Sequence, residues 1–377
     1  MNIFLFQRGL RLEDNLALHA CLKVSDKVLG VFCLDPRQIR GKYASPFALG
    51  FMLDSLRDLD SRLKKIGSQL IVLEGQPHLE VPKFVRKANA IRVYATMDYT
   101  PFAAKRSQQM IKVLGDKFVE VEDYLLFPKG ALLNKSGKPY GVYTPFLGMV
   151  KSKSVPKPKH YKRMLSKFTK FNHASSLKIL EKISLPNEHI RGGRTEGLKK
   201  LRRVAKLKDY SKCRNFMQYR TTELSAYIKF GCISPREAYA TFGKLGGKSG
   251  SELKRQLLWR EFYYHYYAEY PKKLEWDKSP KTLAMKEFAG MPEVIQKYAL
   301  KLHNTGYINN RARLLLGNYL LHDKKKYWKT CDQFFARRLI DYDPIVNAGN
   351  WLWIKKQPTF RRLKHSVQEK KYDKECT

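Results

Sequence analysis

Residues 337–353 read RRLIDYDPIVNAGNWLW, and three further stretches share their mixture of aromatic, amide and charged side chains: RTTELS at 220–225, LLWREFYYHYY at 257–267 and TGYINNRARLLLGNYLL at 305–321. All five tryptophans of the chain (Trp259, Trp276, Trp328, Trp351 and Trp353) fall in this one region. An aromatic at helical spacing is a core residue first. It is the neighbours that set these five apart, because polar motifs recur around them in a segment whose periodicity is helical. Helices are expected over 206–219, 222–230, 235–243, 252–270, 293–304, 309–322 and 327–340. The second half of the chain therefore reads as all-α.

Working back toward the N-terminus, residues 131–190 shift to Lys, Ser and Pro, with VKSKSVPKPKHYKRMLSKFTKF at the centre. Such a composition cannot build a core of its own and reads as a basic connector. Residues 1–130 alternate short apolar runs, at 3–6, 28–34, 70–73, 91–95 and 118–121, with amphipathic stretches such as 48–66 and 79–88. Strand and helix in alternation specify a doubly wound parallel sheet covered on both faces. The fold class expected is thus an α/β N-terminal domain at 1–130, the connector at 131–190, and an all-α domain at 191–377. GKLGGKS at 243–249 has three residues where a phosphate loop needs four between its first Gly and the Gly-Lys, and is expected to be a turn between helices.

The 377 residues carry 73 Lys and Arg against 34 Asp and Glu, a formal charge of +39. Solubility does not need so much, and a polyanionic partner is implied, with DNA, RNA and an anionic membrane all left open by charge alone. The bland alternative is a generally Lys-rich surface, since the basic residues are spread along the chain. The six cysteines (Cys21, Cys33, Cys213, Cys232, Cys331 and Cys376) include no Cys-x-x-C pair and no zinc spacing, so we expect no metal and reduced thiols in a cytoplasmic or nuclear protein. The start, MNIFLFQRGLRLEDN, is a first strand rather than a signal peptide. No run approaches the roughly 18 apolar residues of a membrane span.

The four motifs resemble the flavin-binding region of the photolyase/cryptochrome family. QRGLRLEDNLAL at 7–18 resembles its opening strand and loop, with Arg8-Gly9-Leu10-Arg11 where the family usually has Arg-Asp-Leu-Arg. The resemblance runs over nearly the whole chain and implies that the helical half binds FAD. It places Thr221, Thr222, Leu224 and Ser225 at the flavin diphosphate, where hydroxyls and free N–H groups at a helix start suit an anion. It places Tyr210 against the flavin, Arg313 and Asp341 as a salt bridge beside the isoalloxazine ring, Asp343 at the ring edge, and Asn347 facing N5. A neutral amide there tolerates the reduced anionic flavin, which an Asp would repel.

The same resemblance makes Trp351, Trp328 and Trp276 an electron-transfer triad. Trp259 and Trp353 become a pair that stacks on a dimer flipped out of UV-damaged DNA, and Gln256, Asn310 and Arg311 its polar contacts. Asn309-Asn310 stands where (6-4) photolyases carry a His pair, and Leu314 lies near another of their histidines; without those proton donors, cyclobutane-dimer repair is the expected reaction. Gln256 cuts the other way, since cyclobutane-dimer enzymes usually have Glu there, and Leu314 replaces a usual Met. EFAGMPEV at 287–294 stands where the family has Trp-x-x-Gly-x-Thr-Gly-Tyr-Pro, and the chain stops at KKYDKECT, short of the family's last helices. A cryptochrome-type photoreceptor, a (6-4) enzyme and a basic nucleic-acid-binding module without flavin are the alternatives. The resemblance further implies an antenna chromophore, a folate or a deazaflavin, near DYTPFAAKR at 98–106, and a monomer with no membrane partner.

Overall fold

The computed structural model describes residues 1–41, 43–173, 190–275, 281–356, 373 and 376. Five parallel strands, β1 (Asn2–Phe6), β2 (Val28–Leu34), β3 (Leu70–Glu74), β4 (Val93–Thr96) and β5 (Phe118–Val121), form one sheet in the order β3-β2-β1-β4-β5. Every residue of β1 and β2 is buried, as a central parallel strand covered on both faces requires. Between the strands run α1 (Leu16–Lys23), α2 (Pro46–Lys64), α3 (Pro77–Lys87) and α4 (Pro101–Leu114). The strand order reverses between β1 and β4, so their carboxyl ends, continuing into Gln7-Arg8 and Thr96–Asp98, form a topological switch point.

Two of these helices begin two residues before the apolar pattern does. Ser45 caps α2 through its hydroxyl, which accepts from the Ala48 N–H, and Pro46 takes the first turn; α3 likewise opens on Pro77. Proline is tolerated there because its missing N–H would have had no helical partner. The strand expected from Ile91 starts at Val93, and Ile91 stays 64% exposed ahead of it.

The rest is helical: α5 (Tyr143–Lys151), α6 (Arg194–Arg203), α7 (Tyr210–Cys213), α8 (Ser225–Lys229), α9 (Pro235–Leu245), α10 (Gly247–Glu269), α11 (Glu293–Thr305), α12 (Asn310–Asn318), α13 (Trp328–Ala336) and α14 (Pro344–Lys356). A five-residue π turn, Tyr319–Asp323, extends α12. GKLGGKS is a turn, with Gly246 and Gly247 both at positive φ between α9 and α10.

Four expectations need correction. The helix expected over 206–219 is only α7, flanked by turns. That over 222–230 shrinks to α8, because Glu223 sits at φ 54°, outside helical space. The basic connector contributes α5 and buries Tyr143, Phe146, Val150, Leu165 and Phe168 in a core that runs through both halves of the molecule. Finally, Cys213 is joined to Cys376 in a disulfide, so the six cysteines are not all reduced thiols; Cys21, Cys33, Cys232 and Cys331 are free and buried.

The halves are welded by buried charge. Arg11 meets Asp123 at 2.5 Å, and Arg236 of α9 meets Asp123 at 2.6 Å and Asp14 at 3.0 Å. Each guanidinium thus has a carboxylate, without which its burial would be prohibitive. Beside them Gly231, at φ 68°, lies so close to Gly9 that a Cβ would come within 2.3 Å of the Gly9 nitrogen. Only glycine fits at this crossing.

Candidate functional site

Where α8, α10, α12 and α14 converge they enclose a cavity of about 450 Å³. Arg313, on α12, forms one wall: its Nη2 lies 2.9 Å from Asp341 Oδ2 and its Nε donates to the Ile308 carbonyl at 3.1 Å. Burial pushes the Asp341 carboxyl up, but Arg313 outweighs burial and holds it below the usual carboxylate range. Asp341 Oδ1 is buried with no hydrogen-bond partner. An ionised oxygen in that state asks for an N–H from a ligand.

Asp343 also lines the cavity, with both oxygens engaged. Oδ1 accepts from the Ile345 and Val346 N–H groups at 3.1 Å and so caps α14, while Oδ2 accepts from Tyr264 Oη (2.5 Å), Arg8 Nη1 (2.9 Å) and Tyr124 Oη (3.1 Å). Burial opposes ionisation here too, yet Arg8 and these donors bring the carboxyl down to about 2. Arg8 continues to Asp98 at 2.7 Å, so one guanidinium ties the switch point to the cavity wall. The Tyr124 ring is flanked by the guanidiniums of Arg8 and Arg260, 4.4 and 4.0 Å from its centroid.

Asn347 is one turn further along α14. Its Nδ2 donates to Asp332 Oδ1 at 2.7 Å; Asp332 also accepts from Tyr342 Oη at 3.0 Å and faces Lys329 at 3.4 Å. A carboxylate can only accept, so Asp332 fixes the amide with its nitrogen turned away and leaves Oδ1 as the free end.

The residues expected at a diphosphate line the same cavity. Thr221, Thr222, Leu224 and Ser225 line the cavity at the start of α8, with the Leu224 N–H 3.4 Å from Thr222 Oγ1, and Tyr210 joins them from α7. Glu223 points to its own cations, Lys200 and Arg220.

Trp259 and Trp353 line the cavity and meet edge to face, centroids 6.4 Å apart at 74°. Trp259 is backed by Tyr143, stacked at 3.6 Å and 6°, a partner from the connector that no local pattern announced. Gln256, Asn310 and Arg311 are in the same lining; Arg311 Nη2 donates to Asn215 Oδ1 at 2.5 Å, and Gln256 contacts the Glu252 carbonyl at 3.5 Å. Trp351 lines the cavity from within, edge-on to Phe335 at 5.1 Å. Trp328, 2% exposed, lies outside the lining, on α13, which packs against α14. Trp276 lies outside the described residues. Arg8, Tyr124, Tyr264, Lys229 and Asp332 belong to the site but were not singled out from the sequence.

Within the described residues no group of three His, Cys, Asp or Glu could hold a metal, and no helix is long and apolar enough to cross a membrane. A buried acceptor awaiting an N–H, an amide with a free oxygen, and hydroxyls at a helix start suit FAD, whose isoalloxazine carries N–H donors and whose diphosphate is anionic. A parallel α/β region joined to a helical region that holds such a site defines a class of flavin-binding proteins.

The chain belongs to the photolyase/cryptochrome family. Residues 2–163 match the DNA photolyase family and residues 253–377 the FAD binding domain of DNA photolyase. It is 27% identical to a deoxyribodipyrimidine photo-lyase of Synechococcus sp. across 100% of this chain and 86% of that one, and 30% identical to cryptochrome-2 of Gallus gallus across 96% and 69%. An archaeal photolyase structure from Sulfolobus tokodaii, with two FAD molecules, superposes with a TM-score of 0.84 at 33% identity, covering 99% of this chain and 88% of that one. A class III photolyase from Agrobacterium tumefaciens, at 24% identity and a TM-score of 0.86 over 98% and 84% of the two chains, shares the fold.

Proposed function

We propose that this protein is a light-driven lyase that splits cyclobutane pyrimidine dimers in UV-damaged DNA, with FAD in its reduced anionic form. The observation that carries this reading is the continuity of one cavity from the Arg313–Asp341 pair and Asn347 to the Trp259–Trp353 wedge, which would put cofactor and flipped-out base side by side. When bound, the flavin supplies an electron on absorbing blue light and recovers it after the ring opens, so no net redox change results.

The chain's own residues bind, orient and insulate. Thr221, Thr222 and Ser225 offer hydroxyls to the diphosphate, Asp341 Oδ1 accepts a flavin N–H, and Asn347 Oδ1 is held ready as a neutral acceptor by Asp332. Trp353 and Trp259 offer π faces to the bases, with Tyr143 bracing Trp259. Gln256, Asn310 and Arg311 would contact the lesion and its backbone. Trp351 and Trp328 would relay an electron to an oxidised flavin. The charge of +39 suits a phosphate backbone, and binding should weaken with salt at a log–log slope of roughly 0.9 per phosphate contacted.

Asn309 supports cyclobutane-dimer over (6-4) repair. Its Oδ1 caps α12 at the Arg311 N–H (2.8 Å) and its Nδ2 donates to the Phe216 and Tyr219 carbonyls, a structural role with no acid–base capacity. The second reading, a cryptochrome-type photoreceptor, is favoured by Gln256 and by the likeness to cryptochrome-2. An antenna chromophore, a folate, a deazaflavin or a second flavin, would sit at the switch point, where Gln7 Nε2, Thr96 Oγ1 and Arg106 Nε are buried without partners. The deciding experiment gives purified, flavin-reduced protein the two lesion types in parallel under blue light. Repair of cyclobutane dimers alone is expected; repair of neither, by protein that carries flavin, would leave the photoreceptor.

A further inference from the structure

Three acids line the cavity, and each is already neutralised: Asp341 by Arg313, Asp343 by Arg8, and Glu223 by Lys200 and Arg220. Lys229 lines the same cavity, and no carboxylate among the described residues lies within ion-pair distance of it. It follows Ser225 by four residues on α8, and so shares its face. Its ammonium rests over the Phe230 ring, 4.2 Å from the centroid. That ring is held by stacking on Phe51 at 5.1 Å, and the Phe230 carbonyl by the Gly9 and Leu10 N–H groups at 3.2 and 3.1 Å. Lys229 is therefore a cation on a fixed platform, facing a cavity whose own negative charge is spent. We propose that Lys229 is a cofactor-binding residue whose ammonium neutralises the negative charge that the isoalloxazine ring carries when reduced.

This rests on the flavin reading above and deepens it. Lys229 shares the cavity lining with Asp341 and Asp343, which the flavin reading sets beside the ring, and the test below separates that assignment from the diphosphate. Burial and then Arg8 hold the ammonium down to about 8, with the two carboxylates offsetting only part of that. The ligand-free cavity thus strains against this cation, and an anionic ring would relieve it. Asn347 complements it: the amide tolerates an anion, while the lysine attracts one.

The test compares the full-length protein with Lys229→Met and Lys229→Arg, measuring the dissociation constant for oxidised FAD and the midpoint potential of the bound flavin by dye-equilibrated titration. Lys229→Met should leave oxidised FAD binding within threefold and weaken binding of the reduced anion at least tenfold relative to it, a fall of about 30 mV for a two-electron couple. Lys229→Arg should restore most of the potential. An equal loss of affinity for both redox forms would assign the lysine to the diphosphate and overturn the proposal, as would an unchanged potential. Wild-type protein that takes up no FAD at all would instead sink the flavin reading beneath it.

Discussion

Replacing Asp343 by Asn keeps the side chain's volume and an acceptor for the α14 N–H groups but removes the charge that Arg8, Tyr264 and Tyr124 converge upon. The carboxyl ionises at about 2 in the folded chain against an ordinary 3.8. That difference of nearly two units corresponds to about 2 kcal/mol. The side chain is 8% exposed, so solvent screening takes little away. The amide adds a cost, since its NH2 would face donors. Asp343→Asn should therefore lose about 2–3 kcal/mol at pH 7. Because the folded value is depressed, the contribution is fully present above the unfolded value and fades as pH falls toward 2. The gap between wild type and variant should have narrowed by about 1 kcal/mol at pH 3. Urea unfolding followed by far-ultraviolet circular dichroism, on flavin-free samples at pH 7 and pH 3, measures both. A gap below about 0.5 kcal/mol at pH 7, or one that does not narrow, would refute the view of Asp343 as the charged junction between the domains.

Glu261 accepts from the Leu126 N–H at 2.9 Å in a fully buried setting, and burial outweighs Arg260 to push its carboxyl up to about 7. Its contribution is complete below about 4.5 and is lost as pH rises through 7, while His265, lowered by burial to about 4, costs stability as pH falls through 6.5. The two slopes nearly cancel between pH 5 and 6.5. Wild-type stability should be flat there, whereas Glu261→Gln should gain roughly 1–2 kcal/mol over the same window in denaturant titrations. Cys376→Ser opens a loop closed across 163 residues of sequence separation, which chain entropy values at up to about 5 kcal/mol. It should lower the melting temperature and abolish any further effect of dithiothreitol, as calorimetry would record. Trp353→Ala should weaken binding to dimer-containing DNA by about 1–3 kcal/mol and leave undamaged DNA unaffected in fluorescence anisotropy.

The sheet was legible because its central strands are buried on both faces, so their apolar runs are unbroken and only their ends were misplaced. α14 escaped notice as a helix although its sequence was the first to draw attention. Ile345, Ala348, Trp351 and Ile354 are buried while Val346 and Trp353 line the cavity, which Trp351 and Ile354 also reach, so apolar residues run around much of the helix and its periodicity is blurred. Site residues inside motifs, such as Arg313 with Asp341, were within reach because the motif brought both partners along. Contacts between distant segments were not. Arg8 meets Asp343 across 335 residues, and Tyr143 reaches Trp259 from a stretch whose lysines and prolines disguised its aromatic face. The disulfide was missed for the same reason, since Cys213 and Cys376 have no local signature.

Gln7 and Arg8 are consecutive residues with opposite allegiances, and this explains why the switch point and the flavin cavity form one unit. Gln7 accepts from Arg106 at 2.6 Å and keeps an unpartnered amide nitrogen at the carboxyl end of the central strand, while Arg8 turns into the helical half to hold Asp343. Asp98, at the end of the neighbouring strand's loop, binds Arg8 from the other side. Because β1 and β4 are paired in register, the segments that carry Arg8 and Asp98, each two residues past its strand, leave the sheet side by side. A guanidinium fixed in this way can impose the position of Asp343, and through its cap the start of α14, on which Asn347, Trp351 and Trp353 are strung at set intervals. The N-terminal domain thus sets the geometry of a cavity most of whose walls belong to the other domain.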